Sequence, residues 1–76
     1  MTYDEVVKEY KRGIFEILVE APRGACAIPR FLMRDLKAIL TSYGVKDRVR
    51  TSTQVEITSL LIACGYTDNG GGKYVK

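Results

Sequence analysis

The side chains with chemistry to offer are cationic and hydroxylic, and they fall into three groups. Arg30, Arg34 and Lys37 recur at spacings of four and three. On a helix they share a narrow arc, with no acid in that arc to neutralise them. Ser52, Thr53 and Gln54 stand together, and Thr58 and Ser59 follow at helical spacing. A glutamine can meet an adenine edge through two hydrogen bonds, and serine or threonine can meet bases or phosphates. Lys73 and Tyr74 close a glycine-rich stretch near the C-terminus. With Arg48 and Arg50 between the first two groups, these residues read either as phosphate clamps around a short polar reading edge or as an ordinary solvated helix face beside a helix cap.

The residues an enzyme would use are missing. The chain has no histidine and only two cysteines. It therefore lacks the four Cys or His ligands of the usual zinc sets and has no Ser-His-Asp or Cys-His constellation. Gly70-Gly71-Gly72-Lys73 fails as a phosphate loop. Thr67 stands where the motif needs its first glycine, and Tyr74 where it needs Ser or Thr. Glu16 and Glu20 form an ordinary i, i+4 surface pair. The expectation is a binding protein rather than an enzyme, with no cofactor and no metal. Cys26 and Cys64 are expected to be buried free thiols, both being in apolar context.

Charge is divided unevenly. Residues 1–20 hold five acids and three bases, a net −2; the remainder holds nine bases and four acids, a net +5. A basic surface of this kind suits a polyanion. The longest apolar run, Leu60 to Cys64, is far shorter than the ~20 residues of a membrane span. The N-terminus opens on a charged amphipathic segment, unlike a signal peptide. A protein of the cell interior, away from membranes, is expected.

These residues need a scaffold, and 76 of them suffice for one domain with a small core. A first helix is expected over residues 3–20. Thr2 and Glu5 form a capping-box pattern. Tyr3, Val7, Tyr10, Ile14, Leu18 and Ala21 make a stripe that Val6, Phe15 and Ile17 widen. Gly13 lies mid-helix at a cost of about 0.8–1.0 kcal/mol relative to alanine; a close contact or a bend would explain it. Ala25 to Ile28 reads as a short strand or packed coil.

A second helix should run from Pro29, a favoured first-turn residue, to about Tyr43, with Gly44 as terminator. Ile28, Phe31, Leu32, Leu36, Ile39 and Leu40 form its apolar face. Asp35 lies on that side and needs an edge position or a base such as Arg12.

Residues 45–51 connect to a third helix, with Val45 and Val49 turned inward. In that helix Ile57, Leu60, Leu61 and Cys64 are the core stripe, and Thr51 with Gln54, or Thr53 with Glu56, could cap it. Val55, Ser59 and Ile62 lie opposite, where bound DNA could cover the apolar pair; alternatively Ile62 packs under the hairpin. Asp68 to Gly72 is a turn between two short strands, around Tyr66-Thr67 and Lys73-Val75.

This order of parts (helix, short strand, two helices, Gly-rich hairpin) resembles the winged helix-turn-helix transcription factor family, most closely at Ile57, Leu61, Cys64-Gly65-Tyr66 and Asp68 to Val75. The resemblance covers nearly the whole chain and implies a mainly α fold with a small β-hairpin, three helices plus a wing. It also implies a single DNA-binding domain over residues 1–76. The partner it implies is double-stranded DNA, with the third helix in the major groove and the wing on the adjacent backbone or minor groove. One departure is that residues 51–72 contain no Arg or Lys. A protein-interaction module on the same scaffold is the alternative. There Val55 and Ile62 would form a docking patch, and Tyr3, Val6 and Tyr10 would pair two subunits.

Overall fold

The computed structural model describes residues 1–76. Three helices carry the fold: α1 (Tyr3–Glu20), α2 (Pro29–Ser42) and α3 (Thr51–Ala63). Three two-residue strands accompany them: β1 (Cys26–Ala27), β2 (Thr67–Asp68) and β3 (Tyr74–Val75). They form one antiparallel sheet in the order β1-β3-β2. Val75 is opposite Cys26 on one side and Thr67 on the other. The C-terminal hairpin is thus anchored to the segment between α1 and α2, and the short apolar piece after the first helix is a strand.

Local chemistry explains where the elements begin and end. The α1 capping box is complete: Glu5 N–H donates to Thr2 Oγ1, and the Thr2 amide donates to the Glu5 carboxylate at 3.0 Å. These Thr2 hydrogen bonds hold the Glu5 carboxyl below its ordinary range. Pro29 opens α2, and Gly44, at φ 76°, provides the left-handed turn that ends it. Lys76 supplies the end of α1, whose last turn has no base of its own. Its ammonium donates to Leu18 O at 2.9 Å and Val19 O at 2.7 Å, satisfying carbonyls that have no partner within the helix.

The core is the meeting of the three helices. Leu36 and Leu40 of α2 and Ile57 and Leu61 of α3 are fully enclosed. Val6, Val7, Ile14 and Leu18 of α1 close over them, with Tyr3 and Tyr66 at the margins. Tyr10 sits half-buried where α1 crosses α2 and donates its hydroxyl to Leu32 O at 3.0 Å. Burial, reinforced by the nearby Asp35 carboxylate, pushes the Tyr10 phenol up to about 12. As expected, Val45 and Val49 rest against the core, while Lys46, Arg48 and Arg50 point outward.

Several expectations fail for tertiary reasons. Tyr3 and Val6 do not form a subunit-pairing face: they are 6% and 2% exposed and belong to the core. Ile17 and Phe15 do not extend the buried stripe and are 69% and 44% exposed. Ile17 shares the arc of Val6 and Tyr10 but, unlike them, is left uncovered. Phe31 leaves the apolar face of α2 and lies at the surface between two arginines. Of the two alternatives for Asp35, the exposed edge position holds and the pairing with Arg12 does not, since Arg12 pairs with Glu9 on its own helix. Cys26 is exposed rather than buried, Cys64 is half-buried, and both are free thiols. Ile62 is 60% exposed and does not pack under the hairpin. A Cβ at Gly13 would meet nothing within 4 Å, so no close contact inside the chain explains that glycine.

The opening of α3 also departs from expectation. Neither capping box forms; the N-cap is Arg50, without a side-chain cap bond. Thr53 turns inward instead, and its hydroxyl lies 2.6 Å from the Tyr3 hydroxyl. The Arg50 amide donates to that same Tyr3 oxygen at 2.9 Å. Glu56 reaches sideways to Lys11 of α1. Long-range partners have thus taken both members of the Thr53–Glu56 pair.

Tyr3→Phe is expected to destabilise the fold by about 1–3 kcal/mol in urea denaturation, because Thr53 and the Arg50 amide lose their shared partner. Adding Thr53→Val should recover part of that loss, since a matched apolar pair leaves no orphaned hydroxyl. Tyr10 gives a pH test. Its raised folded-state value means that its contribution is complete below pH ~10 and is lost as pH rises toward ~12. Tyr10→Phe should flatten the alkaline fall in stability across that window.

Candidate nucleic-acid interface

The open side of α3 is set by what the helix buries. Thr53, Ile57 and Leu61 face the core, so the opposite surface carries Val55, Ser59 and Ile62, all exposed, with Thr51 and Ser52 at its start. Val55 and Ile62 are each 60% exposed. The centre of this surface is therefore short-chained and weakly polar, with no charge.

Its two flanks differ. On the α2 side, Gln54 and Thr58 face the beginning of α2 across a cleft of about 300 Å³, lined also by Pro29, Arg30 and Met33. Gln54 is exposed and makes no side-chain hydrogen bond within the chain. Thr58 is half-buried and donates its hydroxyl back to Gln54 O at 2.9 Å, the i−4 back-bond open to a helical threonine. On the α1 side, Ser59, Val55, Leu60 and Ala63 border an open apolar groove of about 560 Å³ completed by Phe15, with Lys11, Arg12 and Glu56 at its rim.

Arg30 belongs to two concavities at once. Besides the Gln54–Thr58 cleft, it lines a smaller one formed with Ile28 and with Gly71, Gly72 and Lys73 of the hairpin. The start of α2, the open edge of α3 and the hairpin tip therefore meet around one residue, Arg30. The α2 row continues with Arg34. Arg30 and Arg34 place their guanidinium carbons 5.4 Å and 5.3 Å from the centre of the Phe31 ring. Periodicity had assigned this half-exposed ring to the core, but it lies at the surface between two arginines. The missed signal was its position directly after Arg30 and three residues before Arg34, which draws one edge of the apolar face into the basic arc.

The remaining cations are divided between the site and the scaffold. Lys37 donates to Asp47 O at 3.0 Å and holds the α2–α3 connection. Arg50 stacks on the Tyr3 ring at 4.1 Å and pairs with Asp47 at 3.4 Å and Asp4 at 3.7 Å. Both are corrected from free clamps to partly engaged structural groups, although Arg50 keeps an exposed head. Arg48 is exposed and has no ion pair in the chain. Tyr74 is half-buried and packs on the core, so Lys73 alone of that pair is presented outward. Thr53 is 3% exposed and leaves the contact set altogether; its hydroxyl is committed to Tyr3. Ser52, Gln54 and Ser59 remain open.

No group of three or more Cys, His, Asp or Glu is gathered where it could hold a metal ion. No helix is long and apolar enough to cross a membrane. The chain as a whole is mainly helical with a small antiparallel sheet. It matches no family model, and no curated protein or solved structure is significantly similar to it.

The neighbours Thr53 and Gln54 should separate in a stability measurement. Thr53→Ala is expected to cost about 1–3 kcal/mol because it removes one of the two buried partners of the Tyr3 hydroxyl, leaving only the Arg50 amide. Gln54→Ala should stay within about 0.5 kcal/mol of the parent. Equal losses in thermal or urea unfolding would contradict this division between scaffold and surface.

Proposed function

We propose that the chain is a winged helix-turn-helix domain that binds double-stranded DNA sequence-specifically and regulates transcription. In this reading α3 enters the major groove, which is wide enough to admit a helix. Arg30 and Arg34, with Phe31 between them, face the backbone beside that groove, and Lys73 carries the wing to the adjacent backbone or minor groove. Arg48 adds a further phosphate contact. Ser52, Gln54, Thr58 and Ser59 read base edges, and Val55 and Ile62 meet thymine methyl groups.

The observation that carries this reading is the convergence at Arg30. Three elements distant in sequence bring a glutamine edge, a basic helix start and a lysine-bearing hairpin tip to one side of the molecule. The exposed Val55 and Ile62 support it further, since a face with two large apolar residues and no charge gains from being covered. No catalytic or cofactor role is proposed.

A second reading rests on the groove between α1 and α3. Phe15, Val55, Leu60 and Ala63 offer apolar surface beside Lys11 and Arg12, as a protein-docking module would. The two readings part on salt and on sequence. A DNA-binding domain that neutralises about four to six phosphates should show log affinity falling with log salt at a slope of about −3.6 to −5.4 in gel-shift titrations. Arg34→Ala should weaken cognate and random duplexes alike. Gln54→Ala should lose about 1–3 kcal/mol on the cognate site only. A flat salt response with no retarded duplex would favour protein docking.

A further inference from the structure

The wing tip and the start of α2 enclose a cleft of about 160 Å³ lined by Ile28, Arg30, Gly71, Gly72 and Lys73. Its charge is one-sided. Arg30 and Lys73 both line it, no carboxylate does, and neither cation has an ion-pair partner elsewhere in the chain. The backbone adds to this. The Gly70 amide is occupied, donating to Asp68 Oδ1 at 2.8 Å, and the Asn69 amide donates to Lys73 O at 2.8 Å. The amides of Gly71 and Gly72 have no acceptor in the chain. Both residues have positive φ, 64° and 80°, so the turn carries two consecutive unused donors with no side chain beside them.

We propose that this cleft is a seat for a tetrahedral oxyanion, a phosphate group, held by the Arg30 guanidinium, the Lys73 ammonium and the amides of Gly71 and Gly72. Consecutive N–H groups in a turn form concavities suited to anions. A guanidinium adds a planar pair of donors, and an ammonium adds a compact charge. The same chemistry recognises a phosphodiester of nucleic acid or a free phosphate. As a phosphodiester seat the site rests on the DNA-binding reading; as an oxyanion seat it stands without it. Occupancy would tie the wing tip to α2 through one shared anion, a link that the free chain lacks.

The test is a titration of isotope-labelled full-length protein with inorganic phosphate at constant ionic strength, followed by NMR. The Gly71 and Gly72 amides should shift saturably. Arg30→Gln and Lys73→Gln should each weaken the effect about tenfold, the loss expected for one charge-assisted hydrogen bond. Lys46→Gln should leave it unchanged, because Lys46 follows the far end of α2, roughly 20 Å from Arg30. Unmoved or non-saturating amides would overturn the seat, as would an equal loss in the Lys46 variant.

A second arm uses a short random-sequence duplex. If it shifts the same two amides and inorganic phosphate competes with it, the seat takes phosphodiesters. If phosphate shifts them and the duplex does not, the seat stands for a free anion. A retarded duplex with both amides silent under either probe removes the seat while leaving DNA binding intact.

Discussion

The arrangement depends on a hydroxyl shared at the base of α3. Tyr3 belongs to the first turn of α1, yet its oxygen meets both the Thr53 side chain and the Arg50 amide, fifty and forty-seven residues away. The Arg50 guanidinium then closes over the ring. A helix whose N-cap supplies no side-chain bond is thereby fixed at its first turn by a distant helix. The net worth of one such bond is small, but its loss leaves buried groups unpaired, and that penalty makes the geometry definite. The direction in which Ser52, Gln54, Val55 and Ser59 face follows from this anchor.

The far end of the fold is closed in a related way. Lys76 donates to the last carbonyls of α1, its amide donates to Ala25 O, and its carbonyl accepts from Gly24. Tyr66, buried beneath it, points its hydroxyl at Leu18 O. Burial, with Cys64 and Cys26 nearby, raises the Tyr66 phenol. β3 therefore sits between β1 and β2 as the middle strand, although it comes last in the chain. One edge of the return strand closes the hairpin against β2 and the other ties it to the body through β1.

Much of this scaffold could be read from the sequence. The capping box at Thr2, the proline start and glycine stop of α2, and the Ile57-Leu61 stripe rest on local chemistry, so their elements lie where the pattern set them. The residues that misled share one property: a distant partner decides their fate. Thr53 looked like a cap and reading residue because its neighbours Ser52 and Gln54 are polar, and nothing nearby reveals Tyr3. Phe31 looked like core because it stands three residues after Ile28 at the margin of the broad apolar arc, and only packing shows that the buried face ends short of it. Ile17 falls on the right arc of α1, but periodicity does not say how much of that arc is covered. In the candidate site, the basic row of α2 was visible as spacing. That Arg30 rather than Lys37 meets the hairpin tip was not, because it depends on the hairpin folding back against the start of α2.

The near independence of the α3 surface from the core has an evolutionary corollary. Val55, Ser59 and Ile62 contribute little to holding the protein together, so their identities can drift without threatening the domain. Lineages carrying this scaffold would be free to diversify that stripe rapidly, while Tyr3, Thr53, Ile57 and Leu61 stayed nearly frozen. Variation among relatives should then concentrate on one helical face and spare the other, a pattern arising from architecture alone before any selection for a new target.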